Sequence, residues 1–246
     1  MRNRLQALCA ALAAVVMCTG AGLASATPVD GFEAGLPTGV AINDTPNTIR
    51  YGFSTFAGIG TSVIATTSSP PAPVPGAVAG NTVLKLDVEA TDFAGFVHVF
   101  ENTTAGTLAP QDWSAFDALT FWLYGNNTGI DLYIDLLDNR GGPDAFYPFE
   151  LWTSTFKDDF SGWKQLSFAF SSLVRKDIAN GAPNDGLGLT AVHGWALGTL
   201  GTGGARTYFV DDVRLASSVP EPGTLPLFGF ALLGMLAAAH RRRRGP

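Results

Sequence analysis

A side-chain period of two organises the chain from Val83 to Leu215. In Val83–Glu89, Leu84, Leu86 and Val88 fall on one face and Lys85, Asp87 and Glu89 on the other. Leu119, Phe121 and Leu123 alternate with Thr120, Trp122 and Tyr124, and Ile130, Leu132, Ile134 and Leu136 oppose Asp131, Tyr133 and Asp135. Such alternation belongs to strands with one buried face. Further strands are expected at 95–101, 146–152, 164–170, 192–200 and 206–215, separated by Gly- and Asn-rich turns at 125–127, 139–143 and 201–204. No segment carries a helical stripe, and Ser171 to Ile178 has room for one or two turns. Eight or more short strands in about 190 residues predict an all-β fold, a β-sandwich or jelly roll.

Both ends depart from this pattern. Arg2 and Arg4, an apolar run from Leu5 to Val16 and a small-residue site at Ala24-Ser25-Ala26 read as a signal peptide over residues 1–26. Cys9 and Cys18, the two cysteines of the chain, fall inside it. A processed chain then has no disulfide, no thiol nucleophile and no zinc–thiolate site. At the other end, 217–223 is rich in turn residues, Leu225 to Ala239 is almost wholly apolar, and Arg241, Arg242, Arg243 and Arg244 follow. At ~1.5 Å per residue this run spans roughly 24 Å, short of the ~30 Å hydrocarbon layer. A short transmembrane helix at 225–239 with a cytoplasmic stop-transfer cluster is expected, with the body outside.

The formal net charge of −6 hides this organisation. Residues 27–219 carry nine cations against twenty acids, a net −11. A body this acidic is a poor partner for nucleic acid. Residues 27–216 are read as one domain, with the Pro/Ser-rich stretch 66–80 as a long loop inside it; an interdomain linker is the alternative, although only about forty residues of body precede it.

Val219-Pro220-Glu221-Pro222, the apolar helix and the terminal arginines, in that order, resemble the PEP-CTERM sorting signal. The resemblance implies export across the inner membrane and recognition by exosortase, a membrane protease-transpeptidase that removes the tail near the motif. The body would be released, or attached to the cell envelope, in bacteria that make exopolysaccharide. A second resemblance lies on the body. Asp30-Gly31-Phe32-Glu33, the block from Asp112 to Trp122, Gly162-Trp163-Lys164-Gln165-Leu166 and the block from Tyr208 to Leu215 look like the galactose-binding-like jelly rolls of several carbohydrate-binding modules, and like the related domain first named for a mitochondrial complex I assembly factor.

Two candidate sites follow. By alternation Phe209, Asp211, Val213 and Leu215 share one face that is otherwise apolar, where a carboxylate is costly unless paired or metal-bound. The jelly-roll resemblance implies a structural Ca²⁺ between the first and last strands, and Glu33 and Asp211 match those positions. The second candidate is a glycan platform: Trp122, Tyr124 and Tyr133 face away from their apolar neighbours, flanked by Asp131 and Asp135. If the two strands pair, flat rings stand beside carboxylates, the combination that holds sugars. The bland reading buries both sheet faces. Trp152 and Trp195 have ambiguous facing, and Asp158-Asp159 reads as solvated surface.

Catalysis has little support. No Gly-x-Ser-x-Gly elbow occurs, and Asp131, Asp135, Asp138, Asp144 and Glu150 are too ordinary among twenty acids to mark a glycosidase. The expected function is an exported, exosortase-sorted envelope or extracellular matrix protein whose non-catalytic domain binds polysaccharide. A structural surface protein without a glycan ligand, and a secreted glycoside hydrolase or lyase, remain alternatives.

Overall fold

The computed structural model describes residues 26–37, 40–41, 49–59, 61–102, 107–138, 149–179 and 182–217. The expected signal peptide, the motif at Val219, Pro220, Glu221 and Pro222, the helix at 225–239 and Arg241 to Arg244 lie outside these residues.

Among the described residues fifteen strands follow one another: β1 (Ala26–Asp30), β2 (Val40–Ala41), β3 (Ile49–Ala57), β4 (Ser62–Ser68), β5 (Val83–Glu89), β6 (Phe93–Val99), β7 (Glu101–Asn102), β8 (Thr107–Leu108), β9 (Ala118–Asn126), β10 (Asp131–Asp138), β11 (Glu150–Lys157), β12 (Ser161–Ala169), β13 (Val174–Lys176), β14 (Val192–Leu200) and β15 (Arg206–Ala216). They form two antiparallel sheets and a small hairpin. One sheet runs β12-β9-β15-β5-β4, with β1 also paired to β15; the other runs β13-β11-β10-β14-β6-β3-β2; β7 pairs with β8. Helix among the described residues is limited to two 3-10 turns, Phe170–Ser172 and Leu189–Ala191. The segment 171–178 therefore holds a fragment of one turn and then β13, an edge strand of three residues.

The core lies between the sheets. Leu84, Leu86 and Val88 of β5, Leu119, Phe121 and Leu123 of β9, and Tyr208 and Val210 of β15 face Phe96 of β6, Leu132, Ile134 and Leu136 of β10, and Trp195 and Leu197 of β14. Trp195 joins the layers: Phe96 meets it edge-on at 5.0 Å between centroids, and Phe121 lies at 5.9 Å. Trp195 and Trp113 are wholly buried, so neither belongs to an exposed platform.

A β-bulge breaks the alternation in β15. Pairing with β9 jumps from Asp211↔Trp122 to Arg214↔Thr120, and Asp212 takes φ +51°. Across the bulge the facing reverses: Tyr208, Val210, Val213 and Leu215 point into the core, whereas Phe209 and Asp211 point outward. The expectation that Asp211 shares the apolar face of Val213 and Leu215 is thus corrected. The solvated reading is corrected for Asp158 but holds for Asp159, which is exposed. Asp158 is wholly buried and accepts bonds from the amides of Asn126 at 2.9 Å and Asn127 at 3.1 Å and from the Thr128 hydroxyl at 2.7 Å. It ties down the β9–β10 turn, because a buried carboxylate persists only where donors converge on it.

A polar clasp crosses the core. Asp30, at the end of β1, accepts a bond from Trp195 Nε1 at 2.6 Å and pairs with His98 Nδ1 at 2.9 Å, and His98 Nε2 lies 3.2 Å from Glu101 Oε2. Burial disfavours charge on His98, but the bonds and charges of Asp30 and Glu101 outweigh it, and its pKa rises from 6.5 to about 9. The protonated imidazole therefore stabilises the fold fully below about pH 6.5, and the contribution is lost as pH rises through about 9. A shift of this size corresponds to about 3 kcal/mol. The melting temperature is expected to fall between pH 7 and pH 10 in wild type, and less steeply in an already destabilised His98→Gln variant; parallel profiles would remove this role.

Candidate functional site

The residues expected to form one aromatic platform divide between the two faces of the sandwich. β9 pairs with β12 and β15, and β10 pairs with β11 and β14, so Trp122 and Tyr124 cannot stand beside Tyr133. Alternation assigns facing within a strand but says nothing about which strands pair.

On the six-stranded sheet, the outer row Trp163–Tyr124–Phe209 crosses β12, β9 and β15. Successive rings meet edge to face, with centroids 5.4 and 6.0 Å apart. Edge-on packing fills space but presents no flat ring surface. Part of the Pro-rich segment lies on this face. Trp163 Nε1 donates to the Ala72 carbonyl at 2.8 Å, Val74 is buried, and Asn81 Nδ2 donates to Asp211 Oδ2 at 2.7 Å. The first residues of the 66–80 stretch, Thr66 to Ser68, end β4 rather than belonging to the loop.

A cavity of about 380 Å³ opens where this segment meets β1 and the bulge, lined among others by Asp30, Glu33, Asn81, Asp211 and Asp212. Burial holds the Asp211 carboxyl above the usual carboxylate range, with the charges of Asp212 and Glu33 pushing the same way against bonds from Asn81 and the Asp212 amide. The two residues matched to a calcium site thus come together across one cavity. No group of three or more His, Cys, Asp or Glu side chains able to hold a metal occurs among the described residues. Carboxylates alone would not fill the six to eight oxygen positions that Ca²⁺ takes.

The outer face of the seven-stranded sheet differs. Its central row is Tyr133–Gly198–Gly95–Phe56, on β10, β14, β6 and β3. The two adjacent glycines are buried, because the Tyr133 and Phe56 rings fold over them. A methyl group at Gly198 would overlap the Tyr133 ring, and one at Gly95 would come within 2.8 Å of the Phe56 ring. The two rings therefore converge over the glycines from opposite sides. Tyr133 is only 4% exposed, with Lys176 Nζ 4.5 Å from its ring centroid. Lys176 also pairs with Asp135 Oδ2 at 3.0 Å, and Asp131 pairs with Lys157 at 2.8 Å. Both carboxylates of the face are thus charge-compensated. Asp135 Oδ1 is buried and has no hydrogen-bond partner. A buried acceptor of this kind is met by water, an ion or another bound group.

The other carboxylates weighed for catalysis lie away from the open face. Asp138 and Glu150 are a registered pair on the inner side of the same sheet, Glu150 bonded to Arg175 at 2.6 Å and Asp138 accepting the Gly188 amide; Asp144 lies outside the described residues. Trp152 packs against the core rather than on the open face. The sequence reading missed Lys176, Phe56 and Phe93. Phe93 is the first residue of β6, two positions before the strand start expected at 95, so no alternation flagged it.

Comparison with known proteins agrees with both ends of this description. Residues 19–217 match the carbohydrate binding domain (family 11), and residues 218–244 match the PEP-CTERM protein-sorting motif. The fold is similar to the family 11 carbohydrate-binding module of Clostridium thermocellum in complex with a β-1,3-1,4-mixed-linked tetrasaccharide, with TM-score 0.54, 16% identity and coverage of 80% of this chain and 97% of that one. It is also similar to the family 11 module of a cellulosomal cellulase from the same organism, at TM-score 0.53, 18% identity and coverage of 80% and 97%. An exo-β-agarase aligns at TM-score 0.51 and 14% identity, over 79% of this chain and 25% of that chain. At these identities the likeness is one of fold. No curated protein matches the chain. The sorting motif implies export to the cell surface or beyond. By its matched residues the chain belongs to the family 11 carbohydrate binding domains, followed by a PEP-CTERM sorting motif.

Proposed function

We propose that this protein is an exported, exosortase-processed envelope or matrix protein whose jelly-roll domain binds polysaccharide on the outer face of the seven-stranded sheet. The observation that carries the reading is the row Tyr133–Gly198–Gly95–Phe56 beside the unpartnered Asp135 Oδ1. A glycan chain laid along this row would run over the Tyr133 and Phe56 rings that cover the glycines, with its hydroxyls beside the Asp135 carboxylate. Asp131 and Asp135 are balanced by Lys157 and Lys176, so the face does not select for strong charge. The tail helix would hold the protein in the membrane until exosortase removes it. Trp122 and Tyr124 lie on the opposite face and take no part.

A glycan array on the released domain, 26–217, is expected to return binding to one or more polysaccharides. Asp135→Asn and Tyr133→Ala are each expected to weaken it about fivefold to thirtyfold, since each removes an interaction worth about 1 to 2 kcal/mol. Gly198→Ala tests the floor itself, because the added methyl displaces the Tyr133 ring. Binding to no glycan, in a folded domain, would leave the structural surface protein as the reading.

We further propose that Glu33 and Asp211 hold a structural Ca²⁺. The support is the cavity that Glu33 and Asp211 line together. Backbone carbonyls of the cavity lining would complete the oxygen shell. Calcium is expected to raise the melting temperature, chelation to lower it, and Asp211→Asn to abolish the difference; a melting temperature indifferent to chelator would argue against the ion.

A further inference from the structure

The strands that end the two sheets differ in how open they are to another chain. β2 has two residues, and β13 has three, of which Arg175 and Lys176 are charged. β1, paired only to β15, carries Pro28 and a register shift. β12 carries Lys164, and Gly162 at φ +81°. Short length, charge, proline and irregularity are what keep a sheet edge from pairing with a further strand. β4 has none of them. Its seven residues, Ser62 to Ser68, keep one unbroken register with β5 and include no charge, proline or glycine. Among the described residues no backbone bond other than those to β5 reaches it. Ile64 is 60% exposed on its outer face, and Val63 and Ala65 pack against the core yet are only half-buried.

The sequence of β4 is complementary to itself. Antiparallel pairing about a two-fold axis at Ala65 sets Ser62 opposite Ser68, Val63 opposite Thr67 and Ile64 opposite Thr66. The last two are cross-strand pairs of β-branched residues, which stabilise neighbouring strands. The charges beside the edge match as well. Ile64 is registered with Asp87 and Thr66 with Lys85, so each outer row runs from Asp87 and Ile64 of one copy to Thr66 and Lys85 of the other. Within each copy Lys85 bonds Asp87 at 2.6 Å, and β4 itself offers a cationic partner no acid to hold. The net −11 of the body opposes the approach of two copies, but at long range, where salt screens it. Seven facing residues supply about six to eight main-chain bonds. We propose that β4 is the pairing edge of a symmetric dimer, which joins the six-stranded sheets of two copies into one continuous sheet.

Analytical ultracentrifugation of the released domain, 26–217, from low micromolar to near-millimolar protein tests this. A reversible dimer is expected, and it tightens severalfold from low to high salt as the repulsion between two acidic bodies is screened. Ile64 and Thr66 are both exposed, so their variants are expected to melt as wild type does. The double variant Ile64→Lys/Thr66→Lys sets like charges directly opposite at two places and is expected to weaken the dimer about tenfold or more. Ile64→Lys/Thr66→Glu sets opposite charges there and is expected to restore it. Register is read by cross-linking. Ser62→Cys mixed with Ser68→Cys is expected to give a disulfide-linked dimer under mild oxidation, in a domain with no other cysteine. Neither variant alone should do so, because its two copies of the thiol would stand about 20 Å apart. A domain monomeric at every concentration overturns the proposal. So does a dimer that salt dissolves, one indifferent to the paired lysines, or one without the mixed cross-link.

Discussion

One buried carboxylate decides how the two sheets meet. Asp30 sits on the six-stranded sheet, and its partners Trp195 and His98 sit on the seven-stranded one. The chain has no cysteine outside residues 9 and 18, so no disulfide crosses this core. An ionised group between two apolar layers is tolerable only with compensating charge and directed donors, and Asp30 has both. The arrangement specifies register as well as distance. Trp195 and His98 are themselves a registered pair on β14 and β6, so one oxygen fixes two neighbouring strands at once. Their neighbours along the chain, Ala196 and Val97, lie on the outer face, two residues from Gly198 and Gly95. The bonds inside the core thus set the floor of the face outside it.

Asp30 also lines the cavity that holds Glu33 and Asp211. The inner clasp and the outer cavity meet at β1, a strand of five residues that reaches the sheet only through β15. The bulge in β15 makes this possible. Had alternation continued through Asp212, Asp211 would face the core and have no cavity to serve. One residue at positive φ converts an untenable core acid into a surface-facing group.

Much of the sandwich was legible because antiparallel strands with one buried face write their facing into the sequence. The limits of β5 and β14 agree with the alternation, as does the core placement of Leu119, Phe121 and Leu123. The failures have one cause: the signal is local. It does not reveal that β9 and β10 belong to different sheets, so Trp122 and Tyr133 were placed together. It cannot register a bulge, so Asp211 was turned inward. It assigned Asp158 to solvent, because the donors that bury it lie about thirty residues away. Gly95 and Gly198 carry no side chain for a hydrophobic pattern to notice, yet their pairing defines the face.

The two outer faces are chemically alike in the sequence and opposite in the structure. Each carries aromatic rings, acids and a lysine. On the six-stranded sheet the rings meet edge to face, and part of the Pro-rich segment is bonded down over them through Trp163 and Asn81. Prolines suit that role, because a segment poor in free amide donors can cross a sheet face without unsatisfied groups. On the seven-stranded sheet the Tyr133 and Phe56 rings each fold over a glycine of the neighbouring strand, filling the place of its missing side chain. The spacing of aromatic side chains across strands, rather than their number, therefore determines how each face of this sandwich is covered.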